Sequence, residues 1–109
     1  MEILSQQRCI PCKGGIPPFT HEEIIKLLPS ISGWNVKKDK KIWREFSFKN
    51  FVAAVDFVNR VADIAECEDH HPDILIHDYK KVRIELLTYA ISGLTQNDFI
   101  MAAKINEIV

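Results

Sequence analysis

The chain has almost no net charge. Fourteen basic residues against fifteen acidic ones leave a formal charge of -1, so there is no broad basic field to hold nucleic acid directly or to press the protein onto an anionic membrane. No apolar run approaches the roughly 18–20 residues that a membrane-spanning helix needs, and residues 1–8 lack the basic start and apolar stretch of a signal peptide. The expected location is the cytoplasm. Cysteine is scarce and odd in number, Cys9, Cys12 and Cys67, which argues against a disulfide framework. Cys9 and Cys12 form a lone C-x-x-C with no second pair, a weak signal for zinc or redox work. Internal repeats are lacking too, and no βαβα alternation suggests a parallel sheet. What is present is ordinary globular composition, 47% hydrophobic and 27% charged over 109 residues, which fits one hydrophobic core. Residues 1–19 read as an irregular arm, rich in helix- and sheet-breaking Pro and Gly from Pro11 to Pro18, and 20–109 as the single domain.

Thr20-His21-Glu22-Glu23 fits a capping box. Ile24, Leu27, Leu28 and Ile31 follow at helical spacing, and Pro29 to Gly33 close that element. From Trp34 the period drops to two: Trp34 and Val36 alternate with polar residues, and Ile42, Arg44, Phe46 and Phe48 share one parity. Two strands joined by a turn near Lys38-Asp39-Lys40 are predicted. Residues 50 to about 66 predict a helix with two apolar rows, Phe51-Val55-Val58-Ala62-Ala65 and Ala54-Phe57-Val61-Ile64. Such an arc spans roughly 200°, about twice what covering one core requires. One row is expected to face the sheet and the other a partner subunit, so Val58→Asp or Phe57→Asp should disrupt assembly; a helix buried within one domain is the alternative. Residues 73–78 and 80 to about 91 supply two more strands. In the second, Val82, Ile84, Leu86 and Thr88 lie on one face, and Lys81, Arg83, Glu85, Leu87 and Tyr89 on the other. Gly93 breaks it, and Thr95-Gln96-Asn97-Asp98 starts a last apolar helix. The predicted fold is α+β: a four-stranded antiparallel sheet with three helices packed on one face, in the order α-β-β-α-β-β-α.

The chemistry concentrates in Glu66-Cys67-Glu68-Asp69-His70-His71-Pro72-Asp73, where two adjacent histidines sit among carboxylates. Imidazoles exchange protons near neutral pH and serve as general acids and bases. The alternative is a pair of solvated histidines ending a helix, with Pro72 blocking its continuation. Adjacent residues rarely aim both rings at one ion, and Cys67 with His70 is half of a zinc ligand set, so no metal is expected.

Glu66-x-x-x-His70-His71-Pro72, Tyr79, Thr88, Gly93-Leu94-Thr95 and Asp98 together resemble the signature of the pterin-4a-carbinolamine dehydratases. The likeness covers nearly the whole chain after Cys9, including the Gly-Gly-Ile-Pro-Pro arm typical of bacterial members. It implies dehydration of 4a-hydroxytetrahydropterin to quinonoid dihydropterin in tetrahydrobiopterin recycling, with neither metal nor redox cofactor. By the same resemblance His70 and His71 supply acid–base and substrate contacts, Glu66 and Asp69 tune or orient them, and Pro72, Thr88 and Asp98 contribute to binding. Asp98 also fits the third position of the last helix, where a carboxylate favours the N-terminal dipole. Expected partners are the pterin, an aromatic amino-acid hydroxylase system that supplies it, and further copies of the chain in a homodimer or homotetramer through the 50–66 helix and a sheet edge.

One position departs from the family pattern, which carries a histidine directly after the residue matching Thr88. Here that position is Tyr89. A phenol with a pKa near 10 accepts a proton poorly at pH 7 compared with an imidazole near 6.5, and such assistance contributes about 10²–10⁴-fold. Tyr89 as hydrogen-bond donor or stacking group would keep binding while weakening turnover. Two functions therefore stand side by side: a dehydratase with reduced activity, or a weakly active or inactive relative acting as a protein-binding partner.

Overall fold

The computed structural model describes residues 3–11 and 14–109; Cys12, and with it the C-x-x-C reading, lies outside them. The elements are α1 (His21–Leu27), β1 (Asn35–Lys37), β2 (Lys41–Ser47), α2 (Phe51–Glu68), β3 (Asp73–His77), β4 (Lys81–Leu86) and α3 (Gln96–Ile108). The predicted order and the α+β class hold. All strand pairs are antiparallel, in the spatial order β1-β2-β4-β3. Both hairpins turn through two consecutive residues with positive φ, Lys38-Asp39 and Asp78-Tyr79, the backbone twist that suits tight antiparallel connections. Tyr79 is thus an exposed turn residue at the hairpin tip, at the opposite end of β3 from the histidine pair.

Register explains the layers. Ile42 pairs with Leu86, Phe46 with Val82, and Val82 and Ile84 with Ile76 and Ile74. Residues directly opposite share a face, so these side chains form one apolar surface, buried in the core at β2 and β4 and partly buried at Ile74 and Ile76. Arg44 shares that face, but its guanidinium reaches Asn106 Oδ1 at 2.8 Å and the Ser32 carbonyl at 3.1 Å. The other face carries Trp43, Glu45, Leu75, Arg83 and Glu85, with Arg83 stacked 4.0 Å over Trp43.

Asn50 caps α2, its side chain accepting from the Ala53 N–H at 2.9 Å. The row Ala54-Phe57-Val61 faces the core, joined by Ala65. Phe57 packs between Phe46 and Phe48 with ring centroids 4.8 and 4.9 Å away. A charge there would therefore strike the chain's own core, and the expectation that Phe57→Asp reports on assembly is corrected. The other row leaves Phe51 and Ala62 exposed and Val55 and Val58 half-buried. α3 is buried on nearly every side, from Asn97 to Ala103 and again at Ile105. An all-round buried helix needs cover on its outer side, and the arm contributes it: Leu4–Gln6 form a 3-10 turn against α3, with Ser5 Oγ donating to Glu107 at 2.7 Å and Lys104 to the Ser5 carbonyl at 2.8 Å.

One strand is shorter than predicted. β4 ends at Leu86 rather than running to about 91. The chain leaves the sheet because Thr88 pairs with Gly93 across a short loop, and Tyr89–Ile91 make a 3-10 turn inside it. Gly93 is required there, since a Cβ would lie 2.5 Å from Pro18 of the arm. No helix of the described residues is long and apolar enough to cross a membrane.

Candidate functional site

The site forms where α2 ends, β4 runs out and α3 begins. Asp69 adopts φ 52°, ψ 42°, closing α2 in the left-handed region, a position that usually takes glycine or asparagine. Its N–H and that of His70 both reach the Ala65 carbonyl. That reversal turns the His70 ring inward and leaves the next residue facing out.

His70 Nε2 lies 2.7 Å from Asp98 Oδ1, and the Asp98 side chain is fully buried. Its second oxygen accepts from Thr88 Oγ1 at 2.9 Å and from the Thr95 N–H at 3.0 Å. Thr88 has one hydroxyl proton and gives it to Asp98, so the Thr95 hydroxyl, 2.8 Å away, must donate to Thr88. Every bond around Asp98 then points at it as an acceptor. As the donor to Asp98, His70 Nε2 leaves Nδ1 as the ring atom for other partners, and the described hydrogen bonds give Nδ1 none. Asp98 thus takes the helix-start position foreseen for it, accepting the Thr95 N–H at the head of α3, and it also holds the imidazole, which the sequence did not indicate.

The cavity beside this ring has a volume of about 340 Å³, lined by Ile10, Asp69, His70, His71, Pro72, Asp73, Leu87, Thr88, Tyr89, Ala90 and Asn97. It therefore brings together Asp69, His70, His71, Pro72, Thr88 and Tyr89 of the sequence-predicted set. Asp98 lies behind His70, outside the lining, and Glu66 stands outside it on His71, its Oε2 2.5 Å from Nε2. His71 is far more exposed than its neighbour, 54% against 11% for the side chains.

Tyr89 does not occupy a sheet face. It stands exposed at the cavity rim, its hydroxyl donating to both Asp73 oxygens at 2.8 and 2.7 Å. The carboxylate that takes this hydrogen bond pushes the phenol above its ordinary value of 10.0, with desolvation and the charges of Asp73 and Glu85 acting the same way. The phenol is therefore a donor at neutral pH.

Sequence reasoning missed Asp73 as the partner of Tyr89, and Ile10 and Asn97 as walls. Asp73 stood in the carboxylate cluster already noticed; Ile10 and Asn97 carry no local signal. Nearby, buried Glu68 accepts from the Cys9 N–H at 2.8 Å and pairs with Arg8 at 2.9 Å. Burial raises its carboxyl, but the Cys9 N–H, Lys104 and Arg8 outweigh that and hold it below the ordinary range. Burial, and then the Glu68 charge, push the Cys9 thiol up to about 12, the reverse of what a reactive cysteine needs. Among the described residues no three His, Cys, Asp or Glu side chains converge as a metal-binding group.

Fold and site together define a small α+β protein with an imidazole held against a buried carboxylate at the mouth of a compact cavity. Residues 17–108 match the family described as Pterin 4 alpha carbinolamine dehydratase, and the chain belongs to that family. It is 49% identical to a Nitrosospira multiformis protein bearing the pterin-4-alpha-carbinolamine dehydratase name, over 99% of this chain and 94% of that one. Identity is 44% to the mitochondrial pterin-4-alpha-carbinolamine dehydratase 2 of Arabidopsis thaliana, of which the match covers 58%. Among solved structures, a transcriptional coactivator/pterin dehydratase from Brucella melitensis superposes with a TM-score of 0.77 at 36% identity, over 84% of this chain and 97% of that one. A pterin dehydratase-like protein identified as a RuBisCO assembly factor of the alpha-carboxysome shares the fold, with a TM-score of 0.58 at 19% identity.

Proposed function

We infer that the protein dehydrates 4a-hydroxytetrahydropterin to quinonoid dihydropterin, in tetrahydrobiopterin recycling, by histidine acid–base catalysis. The observation that carries this reading is the His70–Asp98 pair: an imidazole with one nitrogen bonded to a buried carboxylate and the other left at a cavity. Loss of water from a carbinolamine changes no oxidation level. The C4a–oxygen bond breaks as an acid protonates the departing hydroxyl, and the ring nitrogen beside C4a gives up its proton as the new C=N bond forms. An acid and a base suffice for that balance.

In this reading His70 exchanges a proton through Nδ1 while Asp98 fixes the tautomer and angle of the ring. His71, steadied by Glu66, faces solvent at the rim and serves as the second proton carrier. Asp69, Pro72 and Thr88 shape the binding surface. Tyr89, bonded to Asp73, donates a hydrogen bond to substrate or packs on it and does not act as the base, so turnover is slower than a histidine at that position would allow. The test is the dehydration rate of wild type, His70→Ala and Tyr89→His, with substrate generated in situ by an aromatic amino-acid hydroxylase. Loss of about 10²-fold or more in His70→Ala, and a gain in Tyr89→His, are expected. Rates no greater than the spontaneous one in all three would reject the enzyme reading. They would favour a binding role, which the coactivator description of the Brucella relative makes the natural second reading.

The same reading includes self-association. The outer row of α2, Phe51, Val55, Val58 and Ala62, is apolar yet exposed or half-buried, and a second copy would cover it. Val55→Asp should convert the assembly to monomer in sedimentation, because an unpaired charge in an apolar interface is costly; an unchanged profile would remove this surface from consideration.

A further inference from the structure

The arm reaches the cavity in a way that its Pro- and Gly-rich sequence does not suggest. Ile10 lines the cavity, yet 72% of its surface is exposed. A lone exposed apolar side chain is ordinary on a protein surface; what sets Ile10 apart is that it stands in a cavity lining with its backbone fixed. The Asn97 side chain accepts from the Ile10 N–H at 3.0 Å and donates to the Ile10 carbonyl at 2.6 Å. Asn97 is itself 4% exposed, so this is a buried amide satisfied on both ends by one residue of the arm.

The preceding residues are anchored as well. The Cys9 N–H and the Arg8 guanidinium both bind buried Glu68, one residue before the turn that delivers His70. Further along, Gly14 passes the Ala90 carbonyl, Pro18 packs on Gly93, and the Phe19 N–H donates to the Leu94 carbonyl at 2.8 Å. The arm is therefore tied to both segments that bear the site, the end of α2 and the Thr88–Gly93 loop.

We propose that Ile10 is a binding residue for the pterin, covering apolar surface of the bound ring system at the cavity mouth, and that Asn97 is a positioning residue that sets where Ile10 stands. The proposal rests on the pterin reading above. It assigns the arm to substrate affinity and not to proton transfer, because Ile10 has no titratable group and lies at the mouth, while Asp98 holds the His70 ring from behind. Contacts made equally in ground and transition states change KM and leave kcat alone.

The experiment measures kcat, KM and the dissociation constant of a non-reacting dihydropterin for wild type, Ile10→Ala, Asn97→Leu and the double variant. Ile10→Ala removes methyl and methylene groups from an exposed side chain and should leave folding intact. It should raise KM and the dissociation constant about tenfold, with kcat changed by less than about twofold. Asn97→Leu should do the same, and the double variant should be no worse than either single one, since Asn97 acts through Ile10. Additive losses in the double variant would overturn the positioning role. An unchanged KM in Ile10→Ala, with wild type active, would overturn the binding role and leave the dehydratase reading standing. Wild type that neither binds the dihydropterin nor turns over would reject both.

Discussion

His70 and His71 are neighbours in sequence and have little in common in space. His70 is turned inward by the left-handed Asp69 and meets a carboxylate that already holds Thr88 and Thr95. His71 points out and meets Glu66, a side chain itself 77% exposed. The first pair belongs to a closed network linking α2, the end of β4 and the head of α3. The second is a solvent-exposed hydrogen bond, and exposed polar contacts are usually worth about 0–1 kcal/mol. Burial and the number of shared partners, not the residue type, decide which imidazole the fold depends on. In a low-dielectric network each missing partner leaves the others unsatisfied.

The largest effect is expected from Asp98→Ala. It leaves the Thr95 N–H and the Thr88 hydroxyl without their acceptor and frees the His70 ring, and each buried donor so orphaned costs about 1–3 kcal/mol. A loss of about 2–4 kcal/mol in denaturant unfolding is expected, together with turnover as low as that of His70→Ala. Asp98→Asn keeps an acceptor oxygen for the Thr95 N–H and should recover part of the stability without the turnover. His71→Ala comes next in size: stability within about 0.5 kcal/mol of wild type, and a smaller fall in rate than His70→Ala. Equal effects from the two histidine variants on both stability and rate would show that the buried network confers no special role.

What is legible in the sequence follows from the range of the interactions. Period-two alternation in Val82, Ile84 and Leu86, and the helix-start signals at Thr20 and Thr95, act over a few residues, and the structure keeps them. The histidine pair was legible because it stands among carboxylates within eight residues, but the one that holds His70, Asp98, lies 28 residues further on. Tyr89 was misplaced because its alternation with Leu87 continues in sequence after the strand has ended in space. The reason lies elsewhere in the chain, in the pairing of Thr88 with Gly93 and the pressure of Pro18 on that glycine. Asn97 and Ile10 are 87 residues apart, and no local pattern can announce a contact of that span. The outer row of α2 was legible as apolar, but only packing tells which row the core takes, and Phe57 proved to belong to it.

The smallest effect is expected at Tyr89, whose rim contact has no buried partner. Its phenol is raised above 10.0 by the hydrogen bond to Asp73. A group whose folded-state pKa is raised contributes stability that is fully present below its ordinary value and is lost as pH climbs through the folded one. The Tyr89–Asp73 bond should therefore be indifferent to pH from neutrality up to about 10 and weaken only above it. Tyr89→Phe is expected to change stability at pH 7 by no more than about 0.5 kcal/mol, since the bond is open to water. The chain has two tyrosines, so the difference between wild-type and Tyr89→Phe tyrosinate absorbance isolates one phenol. A midpoint above 10 would place the Asp73 bond in solution, and a midpoint at or below 10 would show that the rim opens, leaving Tyr89 free to turn toward the cavity.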